Sequence, residues 1–236
     1  MAVNQDYSRI LPLLEADYKC WIGRVMEVYD KIFDWYCRAR SAEAGVEIIR
    51  SFSKRLTPGS EVLDIGCGFG VPITSTLAEL GLRPRGIDSS KKMVARFREE
   101  LPEVPIECAD VLTADFFNTT FDAVIGYGFM FHLGQDQQRA VIEKVSGALP
   151  PGGYFLFNSG DEDASKMTVP EHNGGEVFMT YSMSAKNYSA TLEQHGMVLV
   201  EHRIEERFGS DIYVAKKSLD RLLMSVNPSG YNTYAK

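Results

Sequence analysis

The chain of 236 residues is poor in cysteine, has no long apolar run and carries no surplus of basic charge. Its four cysteines, Cys20, Cys37, Cys67 and Cys108, are scattered, and no two form a CxxC pair. That spacing excludes a disulfide framework and a cysteine zinc site. Two of the four sit in apolar contexts that read as buried, so a reduced, cytoplasmic protein is expected. No apolar stretch approaches the roughly 20 residues of a membrane span. The opening residues, Met1 to Asp6, have no basic segment leading into an apolar core, so no secretory leader is expected. With 25 Lys+Arg against 32 Asp+Glu, the net charge of −7 lacks the basic footprint of nucleic-acid binding. Internal repeats and low-complexity segments are absent.

What is present is ordinary for a folded domain: 44% hydrophobic and 24% charged residues, which excludes disorder, collagen and coiled coil. The length suits one α/β domain with appendages, large enough to bury a core without staples. Residues from Tyr7 to Lys54 show apolar positions at helical spacing and no strand signal. This aromatic-rich helical region ends at Thr57-Pro58-Gly59.

From Glu61 the pattern alternates. Strands are expected at Val62–Ile65, Pro84–Ile87, Val104–Cys108, Phe121–Gly126 and Tyr154–Phe157, with helices at Pro72–Leu80, Lys91–Glu100 and Gln135–Leu149. Such alternation predicts a parallel sheet covered on both faces. A helix at Ala185–His195 follows, then two strands, Met197–Ile204 and Asp211–Ala215, close enough to form a hairpin, so one runs antiparallel to the rest. Another helix is expected near Leu219–Met224, then a loose tail. The segment from Asn158 to Ser184 reads as a long loop, and loops of that length inside a domain are usually functional.

The informative stretch is Val62-Leu63-Asp64-Ile65-Gly66-Cys67-Gly68-Phe69-Gly70-Val71-Pro72. A strand stops, glycines turn the chain, and a helix begins with Pro72 in its first turn. The glycines let a ligand approach the backbone, and the helix start offers free N–H groups. The spacing is G-x-G-x-G. A dinucleotide fingerprint would place its third glycine where Val71 stands. Asp64 precedes the loop, which suits a cationic ligand and not a pyrophosphate. Asp88, in Gly-Ile-Asp-Ser-Ser, ends the next strand, where an acid can accept both hydroxyls of a ribose. Asp110, after the third strand, can accept from an adenine amino group while the Val111 N–H meets a ring nitrogen and Met93 packs on the base. Taken singly, Asp110 also reads as a turn residue and Met93 as core. Three acids at successive strand ends point to a phosphate-free, positively charged nucleoside.

These stretches resemble class I S-adenosylmethionine-dependent methyltransferases. VLDIGCGFG is similar to the family's first motif, GIDSS to its acidic second strand, CADVL to its adenine contact, FDAVIGYGFMFHL to its fourth strand and ALPPGGYFLF to its fifth. The GCG-Val-Pro-Ile and Phe-His-Leu segments resemble bacterial-type small-molecule methyltransferases. The resemblance implies a Rossmann-like α/β fold with seven strands in the order 3-2-1-4-5-7-6 and helices on both faces. It implies an N-terminal helical lid over residues 1–56, a cofactor-binding core over 57–217 and a C-terminal tail over 218–236. The implied cofactor is S-adenosyl-L-methionine, with S-adenosyl-L-homocysteine as product. Asp64, Gly66, Cys67, Gly68 and Pro72 would serve the methionine end, Asp88 and Ser89 the ribose, and Met93, Asp110 and Val111 the adenine. Gly126 or Tyr127 would meet the methionine amino group.

Methyl transfer needs alignment and exclusion of water, and a base only where the acceptor must lose a proton. His132 follows the fourth strand and is the candidate base or acceptor contact; its alternative is a cap for the helix starting near Gln135. His172, His195 and His202 read as structural or solvated. The acceptor pocket is expected from the N-terminal aromatics (Tyr18, Trp21, Tyr29, Trp35, Tyr36) and from Glu176, Phe178, Met179, Tyr181 and Met183, although core packing explains most of the aromatics. No magnesium site is expected: the fourth strand ends in Gly126-Tyr127-Gly128, and Asp161, Glu162 and Asp163 read as a solvated loop. The DNA- and RNA-methylating signatures are absent. The expected activity is methyl transfer to oxygen or nitrogen of a small-molecule acceptor, by a monomer or homodimer. Alternatives are an S-adenosylmethionine-binding enzyme that rearranges or cyclises a metabolite and, more distantly, an NAD-dependent oxidoreductase.

Overall fold

A computed structural model describes residues 28–168, 174–177, 179–206 and 209–219. Tyr18, Trp21, Cys20, His172, Phe178 and the expected helix beyond Leu219 lie outside these residues.

The described elements begin with α1 (Phe33–Ala39) and α2 (Val46–Ser53). The alternating region follows as β1 (Glu61–Ile65), α3 (Ile73–Glu79), β2 (Arg83–Asp88), α4 (Lys91–Glu100), β3 (Ile106–Cys108), β4 (Ala123–Gly126), α5 (Gln135–Ala148) and β5 (Tyr154–Ser159). Last come β6 (Ala164–Met167), β7 (Met179–Ser182), α6 (Ala185–Gln194), β8 (Met197–Glu205) and β9 (Ser210–Lys217).

Seven strands form one sheet in the order β3-β2-β1-β4-β5-β9-β8. Counting only that sheet's strands, this is the expected 3-2-1-4-5-7-6. The labels shift by two because β6 and β7 pair separately as an antiparallel ribbon. Strand β9 runs antiparallel to β5, as the hairpin requires.

β6 and β7 are the one pair of elements that the sequence pattern conceals, and they correct the reading of 158–184 as a loop. Neither strand is buried, and Ala-Ser-Lys-Met offers no apolar alternation. A two-stranded ribbon has too little hidden surface to imprint a pattern.

The central strands read as continuous apolar runs because helices cover both faces. Alternate residues face opposite sides. Leu63 and Ile65 join Val124, Phe155, Phe157 and the α5 residues Val141, Ile142 and Val145 in one cluster. Val62, Ile125 and Leu156 join Ile48, Ile49 and Phe52 of α2 and Ile73 and Leu77 of α3 in the other. Asp64 shares the parity of Val62, so its side chain points toward α3. Three described cysteines, Cys37, Cys67 and Cys108, are free and none is fully buried, which corrects the expectation from their apolar contexts.

Candidate active site

The parallel register places the ends of β1, β2, β3 and β4 along one edge, with Asp64 opposite Gly86 and Asp88 opposite Cys108. The glycine loop crosses this edge. Gly66 N and Cys67 N donate to Ile87 O at 2.8 and 3.2 Å, and Gly68 N donates to Asp88 Oδ2 at 2.8 Å. Gly66 has φ +67°, and a Cβ there would lie 2.3 Å from the Phe129 ring. Only glycine allows both that turn and that approach.

Two cavities flank the loop. One, of about 100 Å³, is lined by Gly66, Asp88, Ser89, Ser90, Met93, Asp110, Val111, Phe129 and His132 among others. The Asp88 carboxylate is held at both oxygens, by Gly68 N and by Ser90 N, each at 2.8 Å. Each oxygen retains a further acceptor lone pair. Burial pushes the Asp88 carboxyl up, and the hydrogen bonds from Ser90 and Gly68 oppose the shift. Ser90 caps α4 by accepting from Met93 N at 3.2 Å, and also donates to Asp30. Asp110 Oδ1 accepts from Leu112 N at 2.9 Å.

The other small cavity is lined by Asp64, Gly66, Cys67, Gly68, Arg40, Tyr36 and Tyr127. Asp64 is 1% exposed and accepts from Thr74 Oγ1 at 2.5 Å. Burial pushes its carboxyl up to about 7, against the opposing Thr74 hydrogen bond. Among the described residues, no basic side chain forms an ion pair with it.

The expected residues do not all converge. Asp64, Gly66, Cys67, Gly68, Asp88, Ser89, Met93, Asp110, Val111 and Tyr127 line these two cavities. Pro72 lines neither and occupies the N-cap position of α3, one residue before its first turn. Gly126 is buried in the sheet, and a Cβ there would lie 3.4 Å from Ile65. Between Gly126 and Tyr127, only Tyr127 reaches a cavity.

His132 lines the larger-walled cavity and does not cap α5. That helix starts at Gly134, whose N–H donates to the Gln137 side chain at 2.9 Å. His132 Nε2 lies 2.9 Å from Tyr29 Oη, and burial pushes the imidazole down to about 4. Its loop is fixed from behind by Gln138, fully buried on α5. Gln138 Nε2 donates to the carbonyls of Met130, Leu133 and Tyr181, and its Oε1 is 2.6 Å from Tyr188 Oη.

A third, wider cavity of about 350 Å³ opens beside the others and is lined by Tyr29, Trp35, Tyr36, Arg40, Tyr127, Phe131, Asn158 and Ser210. Tyr29, Tyr36 and Gly128 border both this cavity and the one at Asp88. Of the late-segment residues, Met183 is buried in the main core and Met179 and Tyr181 belong to the ribbon, so none of the three lines these cavities. Glu176 instead faces Lys31 at 3.9 Å, and Gly174 backs onto Trp35. Sequence reasoning missed Arg40, Phe129, Ser90, Asn158 and Ser210. Only Ser90, a cap before an apolar-periodic helix, carried a local signal. His195 lends its carbonyl to Ser146, and His202 stacks on Tyr213 with Asp211 2.7 Å away, so both are structural. Asp163 caps α6 through Ser184 and Asn187. Among the described residues, no cluster of His, Cys, Asp and Glu forms a metal site, and no helix is long and apolar enough to cross a membrane.

Residues 62–153 match a family model described as a methyltransferase domain. Over those residues the chain is similar to methyltransferase domains. Its fold is that of CalS10 from Micromonospora echinaspora, an amino pentose methyltransferase (TM-score 0.63, 21% identity, 78% of this chain and 95% of that one). The chain is also similar to phosphoethanolamine N-methyltransferase from Plasmodium falciparum, with 25% identity over 79% of this chain and 69% of the relative. A 29% identity to cyclopropane mycolic acid synthase MmaA2 from Mycobacterium tuberculosis covers 44% of this chain and 37% of that protein. The chain therefore spans little more than a third of that relative's length.

Proposed function

We propose that this domain binds S-adenosylmethionine along the carboxyl-terminal edge of its sheet and transfers the methyl group to oxygen or nitrogen of a small-molecule acceptor. The carrying observation is the set of carboxylates at the ends of β1 and β2 and just after β3, distributed over two cavities that meet at the glycine loop. Asp64 is a buried carboxylate with no ion pair among the described residues, which fits the methionine ammonium. Arg40, on the same wall, fits the carboxylate. Asp88 has acceptor capacity left for ribose hydroxyls, and Asp110 with the Val111 N–H fits adenine, packed by Met93 and Phe129. When bound, the cofactor supplies an electrophilic methyl group on a sulfonium.

The acceptor enters from the wide cavity, under a lid formed within residues 1–56 on the core of 57–217, with 218–236 as a tail. Trp35, Tyr36 and Phe131 exclude water there. His132 is kept neutral by its enclosure and is available at neutral pH to take a proton from the acceptor, with Tyr29 fixing its ring. His132→Ala is expected to lower turnover while leaving cofactor affinity unchanged. Because the imidazole is pushed down to about 4, wild-type turnover should show no histidine ionisation between pH 6 and 8. Full activity in the alanine variant at saturating cofactor would remove His132 as the base.

Calorimetry with S-adenosylmethionine, S-adenosylhomocysteine and NAD(H), followed by transfer of labelled methyl to a panel of amines and phenols, tests the whole reading. Binding of NAD(H) without S-adenosylmethionine would overturn it.

A further inference from the structure

Behind the wall of the wide cavity stands a carboxylate that cofactor binding leaves unused. Tyr29, Trp35, Tyr36, Tyr127 and Phe131 line the cavity. Asn158 and Ser210 also line it and belong to a continuous polar chain. Gly128 N donates to Asn158 Oδ1 at 2.6 Å, Asn158 Nδ2 to Ser210 Oγ at 3.3 Å, and Ser210 Oγ to Glu205 Oε2 at 3.3 Å. Tyr127 Oη donates to the same carboxylate, 3.0 Å from Oε2 and 3.2 Å from Oε1. Glu205, the last residue of β8, thus stands directly behind two lining residues and retains acceptor capacity.

The basic groups nearest it along the strand are engaged elsewhere, Arg203 with Glu201 and His202 with Asp211. Among the described residues, no ion pair includes Glu205. Arg40, the one basic side chain on the cavity wall among the described residues, lies over the Tyr36 ring on the side shared with the glycine loop. There the cofactor carboxylate would take it. What remains is an aromatic chamber with a carboxylate behind its wall that, among the described residues, has no ion pair. Aromatic faces attract cations, and a carboxylate behind a phenol adds to that attraction.

We propose that this chamber selects an organic amine in its protonated form, with the ammonium toward Glu205 and Tyr127 and the hydrocarbon against Trp35, Tyr36 and Phe131. Naming that amine as the methyl acceptor rests on the function proposed above. The preference for a cation does not.

The full-length protein should be titrated at pH 7 with 2-phenylethylamine, its uncharged analogue 2-phenylethanol and the anion 2-phenylacetate. The amine should bind at least tenfold more tightly than the alcohol, and the anion most weakly. In E205Q the amine should fall to within about threefold of the alcohol, whose own affinity stays unchanged. Trp35→Ala should weaken amine and alcohol alike. The ratio in the unaltered protein tests the charge preference even if a variant fails to fold. An amine that binds no better than the alcohol, shows no saturable binding, or keeps its advantage in E205Q overturns the proposal. Preference for 2-phenylacetate would assign the chamber to Arg40 and an anionic acceptor. S-adenosylmethionine affinity, measured in parallel, separates failure of this proposal from failure of the methyltransferase reading.

Discussion

The cavity at Asp88 and the wide aromatic chamber share Tyr29, Tyr36 and Gly128, yet they are built in opposite ways. The first is a backbone construction. Its shape comes from glycine turns and from carboxylates pinned by neighbouring N–H groups, all within residues 66–133. The second is a side-chain construction, assembled from residues 29–44 of the N-terminal region, the loop after β4, Asn158 at the end of β5 and Ser210 of the closing hairpin. Backbone sites tolerate little change, because any added atom meets main chain or a packed ring. Side-chain sites can be reshaped residue by residue while the sheet stays as it is. A cofactor common to many reactions suits the first kind of site, and a particular acceptor suits the second.

Substitutions can separate the two. The largest effect is expected at Gly66. A methyl group there meets Phe129 and strains a positive φ, so Gly66→Ala should reduce cofactor affinity by a hundredfold or more in calorimetry. Wild-type affinity would mean that the loop does not contact the ligand.

Asp64→Asn should have two opposed consequences. The folded-state pKa of about 7 lies above the ordinary carboxylate value, so the cost of the buried charge is absent below about pH 4, grows as pH rises, and is fully present once pH passes 7. Removing it should stabilise the free protein at pH 8 by roughly 2–4 kcal/mol, and hardly at all at pH 4, by denaturant unfolding. The same change should weaken cofactor binding. In the unaltered protein, cofactor affinity should fall as pH drops below about 7, because the ammonium needs the ionised carboxylate. Stabilisation without loss of affinity would detach Asp64 from the ligand.

Asp88→Asn keeps one acceptor for Gly68 N or Ser90 N and should cost about tenfold in cofactor affinity, the scale of one hydrogen bond to a charged group. Trp35→Ala belongs to the other side of the comparison. It should raise the acceptor KM several-fold and leave the cofactor Kd unchanged; a shift in the Kd would show that the chambers are not separable.

Legibility in the sequence follows the same division. Asp64, Asp88 and Asp110 each end or follow a short apolar run, and the run, the glycine turn and the acid are adjacent in the chain. Local reading therefore found them. Tyr29 and Trp35 were visible as aromatics at helical spacing, a pattern that core packing produces equally well. Glu205 had no signal at all, being one acid in a charged strand until the hairpin carried it to Tyr127. Gln138, within the expected helix Gln135–Leu149, carried no signal either, and folding buried it under the His132 loop.

The sequence by itself determined the alternation of strands and helices, the glycine loop and the acids at its edge. These depend on contacts between near neighbours and on the parity of buried strands. Only the tertiary structure decided which aromatics enclose a cavity, that 158–184 contains a ribbon, and that Glu205 stands behind the cavity wall at Tyr127. Those arrangements depend on contacts between residues distant in the chain or on a ribbon with little buried surface, which packing sets and local pattern does not encode.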